Sequence, residues 1–110
     1  MNRNEKTARG VWRLESAKEL LDAGEPAEAL AFLAGRVPAV FRPERDFLIA
    51  EALRGRGFLA RAASRHRRLL KRPAGKDRGP WLESCLALAA CLRSLGETDE
   101  ARRVLARGLQ

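Results

Sequence analysis

Tyrosine is absent from this 110-residue chain, histidine and methionine occur once each, cysteine twice, and aromatic side chains make up 5% of the residues. Each scarcity closes a route. Cys85 and Cys91 lie six positions apart in one helical stretch, about 9 Å of rise, which is too far for a disulfide. Without further Cys or His partners they do not supply the four ligands of a structural zinc site. Both read as small packing residues, Cys91 toward the flank of its apolar face. His66 has no nucleophile or second acid–base group marked beside it. It falls in the middle of an apolar helical face and reads as a packed imidazole with one hydrogen-bonding partner. No glycine-rich phosphate loop, His-Glu-x-x-His or Gly-x-Ser-x-Gly occurs, and Glu15, Glu19, Asp22, Glu25 and Glu28 are spread as helix-surface charges are. The expectation is a protein that is not an enzyme and uses no metal or cofactor. No apolar run approaches the roughly 18 residues of a bilayer span, and the segment after Met1 lacks the apolar core of a secretory signal. A cytoplasmic protein without a membrane span is expected.

β-branched residues are also scarce, while Ala, Leu, Arg and Glu dominate, a mixture that favours helix throughout. The length suits one domain with one core. The polar, basic stretch Met1–Gly10 reads as a frayed, flexible lead-in. A first helix is expected over about Val11–Ala23, burying a subset of Val11, Leu14, Ala17, Leu20 and Leu21. Pro26 starts a second, to about Gly35, that presents Ala29, Leu30, Leu33 and Phe32. The apolar connection 36–42 is expected to tuck Val37, Val40 and Phe41 inward. Pro43 opens a third helix, to about Arg54, with Phe47, Ile49, Ala50 and Leu53 as packing residues. A fourth, about Phe58–Lys71, is expected to bury Phe58, Leu59, Ala62, Ala63, His66 and Leu69. After the Pro- and Gly-containing loop 72–79, a helix from Pro80 repeats Cys85, Leu88, Ala89, Leu92 and Leu95 at three- and four-residue steps. Gly96 closes it, Thr98 is placed to cap the next helix, and Ala101, Val104, Leu105, Gly108 and Leu109 point inward.

The run Leu95-Gly96-Glu97-Thr98-Asp99-Glu100-Ala101, with Leu105 and Leu109 following, resembles the helix-turn-helix junction of the tetratricopeptide repeat family, whose period is roughly 34 residues. Leu21 to Leu30, around Gly24, aligns in the same way, and Gly57 with Ala62 and Leu70 makes a third, weaker copy. The turn glycines 24, 57 and 96 are 33 and 39 residues apart, the longer interval absorbing the loop 72–79. The resemblance implies an all-α fold, a right-handed α-solenoid of about six helices in three hairpins, over about 11–42, 43–79 and 80–110.

In that family the first helices of successive repeats line a concave groove that holds a peptide or a partner's helix. Carried over, the groove would include Leu14, Lys18, Phe47, Glu51, Arg54, Leu86, Ala90 and Arg93, a mixture of apolar and charged contacts suited to a protein segment. The asparagine-and-lysine set with which some members clamp a C-terminal carboxylate is missing. So is the usual extra helix after the last repeat. Either that end is exposed or another chain, a second copy included, covers it.

Charge separates a second candidate surface. Net charge is +8, and from Arg54 to Lys76 there are nine basic residues and no acid. Among them Arg61, Arg65, Arg68 and Arg72 follow an i, i+4, i+7, i+11 pattern on one side of the fourth helix. A solvated outer face accounts for such a stripe; so does a surface for an acidic protein segment, RNA or another polyanion. Nucleic acid is the weaker version, because no aromatic residue is interleaved for base stacking. An adaptor or chaperone-like module that binds protein is therefore expected first, a polyanion binder second and a self-assembly module third.

Overall fold

In the computed structural model, which describes residues 2–110, three helical hairpins close through the same glycine turn. α1 (Arg3–Asp22) turns into α2 (Pro26–Leu33), α3 (Arg42–Gly55) into α4 (Leu59–Leu70), and α5 (Gly79–Ser94) into α6 (Thr98–Gly108). A short 3-10 turn, Ala39–Phe41, precedes α3, and among the described residues there is no strand. At the first turn Gly24 N–H donates to the Leu21 carbonyl at 3.1 Å and Glu25 N–H reaches back to Leu20 at 2.8 Å. Gly57 and Phe58 repeat this on Arg54 and Leu53, both at 2.9 Å, and Gly96 and Glu97 on Arg93 and Leu92, at 3.0 and 2.8 Å. These bond pairs satisfy carbonyls that a helix end leaves open, and they require a left-handed residue at the glycine. Gly57 has φ 85°, and a Cβ added there would meet nothing within 4 Å. Backbone conformation alone therefore selects glycine. Gly57→Ala is expected to lower the free energy of unfolding by about 1–2 kcal/mol, read as a lower urea midpoint at unchanged slope.

The helices extend the expected ones at one end and fall short at others. α1 begins at Arg3, so the segment read as a frayed lead-in is helical from its third residue; Met1 lies outside the described residues. Asn2 caps it, its side-chain oxygen accepting from Glu5 N–H at 2.8 Å while its amide nitrogen lies 3.4 Å from the Glu5 carboxylate. Asn2 is thus a side-chain N-cap, with a long side-chain contact back from Glu5. Thr98 does not cap α6: the turn already uses Glu97 as the boundary residue, which makes Thr98 the first helical one.

Packing follows chain order. α1 lies on α2 and α3, α2 on α3, α3 on α4, α4 on α5 and α5 on α6, with α3 also touching α5. The apolar interior forms two clusters rather than one continuous seam. The first gathers Leu14, Ala17, Ala29, Leu33 and Leu48, with Phe41, Phe47 and Ile49 against it. The second gathers Ala62, Ala63, Leu70, Cys85, Leu88, Cys91, Leu92, Ala101 and Val104. α5, enclosed between α4 and α6, is buried on most sides, which places Cys91 in the interior instead of on a flank. α6 has helix contact chiefly with α5, so only Ala101 and Val104 are buried and Leu105 and Leu109 are exposed. Val37 is buried and Phe41 half-buried as expected, but Val40 points outward. Phe58, expected inside, is exposed beneath the guanidinium groups of Arg56 and Arg61, 5.2 and 5.5 Å from its ring centre.

Candidate binding groove

Phe47 of α3 lies at the junction of two surface cavities. One, of about 780 Å³, runs over Lys18, Leu21 and Asp22 of α1, Phe47, Leu48, Glu51 and Arg54 of α3, Leu59, and Ser94 of α5. The other, of about 580 Å³, is walled by Val40, Phe47, Leu69, Pro73, Pro80 and Trp81, with Glu44, Arg72, Asp77, Glu83 and Ser84 among its polar residues. The i, i+4 step from Phe47 to Glu51 and the further step to Arg54 put all three on one side of α3. Where that side meets α1, Lys18 Nζ lies 2.6 Å from Glu44 and 3.0 Å from Glu15, joining α1 to α3. The Glu44 bond, then the Glu15 bond, raises the Lys18 pKa above its ordinary value.

Behind Phe47 is the fully buried His66. Its ring meets Phe47 edge-on, centroids 5.3 Å apart, and its Nε2 is 3.2 Å from Glu51 Oε1. Arg54 donates to the other Glu51 oxygen at 2.8 Å. Burial pushes the Glu51 carboxyl upward, but the His66 bond and the Arg54 charge outweigh it and leave the pKa lowered. Among the described residues His66 Nδ1 has no hydrogen-bond partner. The imidazole is therefore the packed group, bonded to one partner, that its place in the sequence suggests. Burial also raises both thiol pKa values, against the influence of Arg107 and Arg78 at Cys85 and of Arg54 at Cys91. Both sulfurs are buried, and burial disfavours the thiolate.

Of the expected groove set, Lys18, Phe47, Glu51 and Arg54 come together. Leu14 does not contribute, being buried in the first core cluster. Leu86, 63% exposed, Ala90 and Arg93 line neither cavity. The α5 face presented to the groove is instead that of Trp81, Ser84 and Ser94. The repeat family's groove register, carried over to Leu86, Ala90 and Arg93, does not coincide with the α5 residues that line these cavities. Trp81 was legible in principle as an aromatic in the first turn after a proline. It is held between Arg78 and Arg107, whose guanidinium carbons lie 5.3 and 5.8 Å from its ring centre.

The arginine stripe runs over other cavities and meets the groove only at Arg72, which also lines the Trp81 cavity. Arg61, Arg65 and Arg68 border a cavity of about 560 Å³ over Leu30, Ile49 and Leu53, and Arg65, Arg68 and Arg72 surround Asp46 in a smaller one. Several of the nine cations are engaged: Arg54 with Glu51, Arg72 with Asp46 at 4.0 Å, Arg61 over Phe58, and Arg67 with Glu100 through bonds of 3.1 and 3.0 Å. Among the described residues no group of three His, Cys, Asp or Glu side chains converges as metal ligands would. No helix there is long and apolar enough to cross a membrane. Neither a family model, nor a curated protein, nor a solved structure matches this chain.

Proposed function

We propose that the chain is a noncatalytic interaction module, a right-handed α-solenoid of three tetratricopeptide-like hairpins that holds a segment of a partner protein across α1, α3 and α5. The supporting observation is the position of Phe47 between two cavities that each set apolar side chains beside charged ones, Trp81 and Leu69 with Glu44 and Arg72 in one, Leu21 and Leu59 with Lys18 and Arg54 in the other. An apolar anchor beside Trp81 and charged groups facing Lys18 and Arg54 describe the segment that would fit. Binding through a few anchors, with a polar surround, is how helical or extended segments are gripped. The three matching turns and the α1–α3–α5 adjacency support the repeat reading.

Selection from a displayed peptide library tests it. Selected segments are expected to bind the full chain with micromolar affinity and to lose at least tenfold on Lys18→Glu combined with Arg54→Glu, while Arg61→Glu leaves binding intact. Phe47 is not the residue to replace, because its contact with His66 makes it part of the core as well. Segments that ignore Lys18 and Arg54 but depend on Arg61 and Arg65 would move the binding surface to α4. That is the second reading: acidic protein or nucleic acid over the stripe, favoured by the arginine-bordered cavity and marked by affinity that falls steeply with salt. The exposed Leu105 and Leu109 leave self-assembly through α6 as a third.

A further inference from the structure

We infer that the N-terminal part of α1 builds a binding site for a compact anion carrying several adjacent phosphoryl groups. α1 has 20 residues and α2 has 8, so α1 overhangs its hairpin partner by about 18 Å. Under the overhang is a cavity of about 590 Å³ lined by Arg3, Lys6, Thr7, Arg9 and Arg13 of α1 and by Arg36 of the following loop. Five of these are cations, and among the described residues no carboxylate lines the cavity. Among the described residues, none of Arg3, Lys6, Arg9 and Arg36 forms an ion pair. Like charges three and four residues apart on a helix repel, and an anion in the cavity would relieve that repulsion.

The site has a firm wall. Gly10 allows the loop to seat on α1: a Cβ there would lie 2.9 Å from Phe41 Cδ2 and 3.3 Å from Pro38 Cδ. A glycine inside a helix is unfavourable, and the close approach is what it permits. Arg13 is anchored by donating from Nη1 to the carbonyls of Ala34 at 3.2 Å and Phe32 at 3.5 Å, which fixes its side chain where it lines the cavity.

The ligand class follows from charge density and shape. Guanidinium groups match phosphoryl oxygens with paired hydrogen bonds, and the cavity volume is in the range of small-ligand sites. Among the described residues no aromatic side chain lines it, so bases find no ring there to stack on. The carboxylates of an acidic peptide are spread over about 3.3 Å of chain per residue, whereas the cations here converge on one volume.

Titration calorimetry of the full chain in about 150 mM salt, with inorganic tripolyphosphate and separately with ATP, tests the assignment. Saturable one-to-one binding below about 1 mM is expected for both. Equal affinities identify a free phosphate chain as the ligand's source, and tighter binding of ATP identifies a nucleotide. Lys6→Ala combined with Arg36→Ala is expected to weaken binding tenfold or more, and Arg102→Ala, exposed on α6, to change it by less than about twofold. The inference is overturned by lack of saturable binding, by an equal loss with Arg102→Ala, or by hexaglutamate or single-stranded RNA binding as tightly with the same dependence on Lys6 and Arg36.

Discussion

Leu92→Ala is expected to reduce the free energy of unfolding by about 2–5 kcal/mol, whereas Leu109→Ala should change it by less than about 0.5 kcal/mol. Both leucines satisfy the helical period of their segments, and the contrast arises from what covers them. Leu92 is fully buried where α5 is enclosed between α4 and α6, beside Cys91 and Leu88. Its carbonyl also accepts from Glu97 N–H at 2.8 Å in the last hairpin turn. Leu109 is 90% exposed past the end of α6. Against a total stability of about 5–15 kcal/mol for a domain of this size, the first substitution leaves little margin. Urea denaturation followed by circular dichroism measures both. Equal losses at the two positions would mean that another surface covers the end of α6 in solution.

Glu51→Ala is expected to cost about 1–3 kcal/mol at pH 7, because it leaves the buried His66 ring without its one hydrogen-bond partner. The cost should shrink as the solution is acidified. The Glu51 pKa is lowered in the folded chain: burial opposes the shift, and the His66 bond and the Arg54 charge override it. The groups bonded to the carboxylate are His66 and Arg54, with the buried Cys91 thiol close by. A carboxylate with a lowered folded value contributes its full stabilisation above the ordinary value of about 4.3 and loses it as pH falls through the lower one. Urea midpoints of the two proteins at pH 6 and pH 3 should therefore converge toward the acid end. A constant difference between them would show that the ionised form of Glu51 is not what holds the pair.

The two predictions also separate what could be read along the chain from what could not. Proline at helix starts and glycine at positions 24, 57 and 96 act through local backbone geometry, so the hairpin turns and the helix ends, apart from the start of α1, were legible within a few residues. Asn2 and Glu5 carried an equally local signal. It was overlooked because the turns that follow have no apolar period, their inner face being basic rather than oily. The groove was legible in part. Lys18, Phe47, Glu51 and Arg54 depend on one face of α1 and one of α3, which neighbour each other directly. Leu86, Ala90 and Arg93 depended on the rotation of α5 about its own axis, which its packing between α4 and α6 fixes.

Helix content, the three glycine turns and the excess of positive charge were determined by the sequence alone, because each rests on forces acting within a few residues or on composition. Tertiary structure decided which apolar residues are inside: Cys91 is enclosed by helices on several sides, and Phe58 and Leu109 have none over them. It also decided which cations stand free, since Arg67 and Arg72 find acids from other helices while Arg3, Lys6, Arg9 and Arg36 gather in one cavity. Burial and charge pairing are properties of neighbours distant along the chain, and only packing brings those neighbours together.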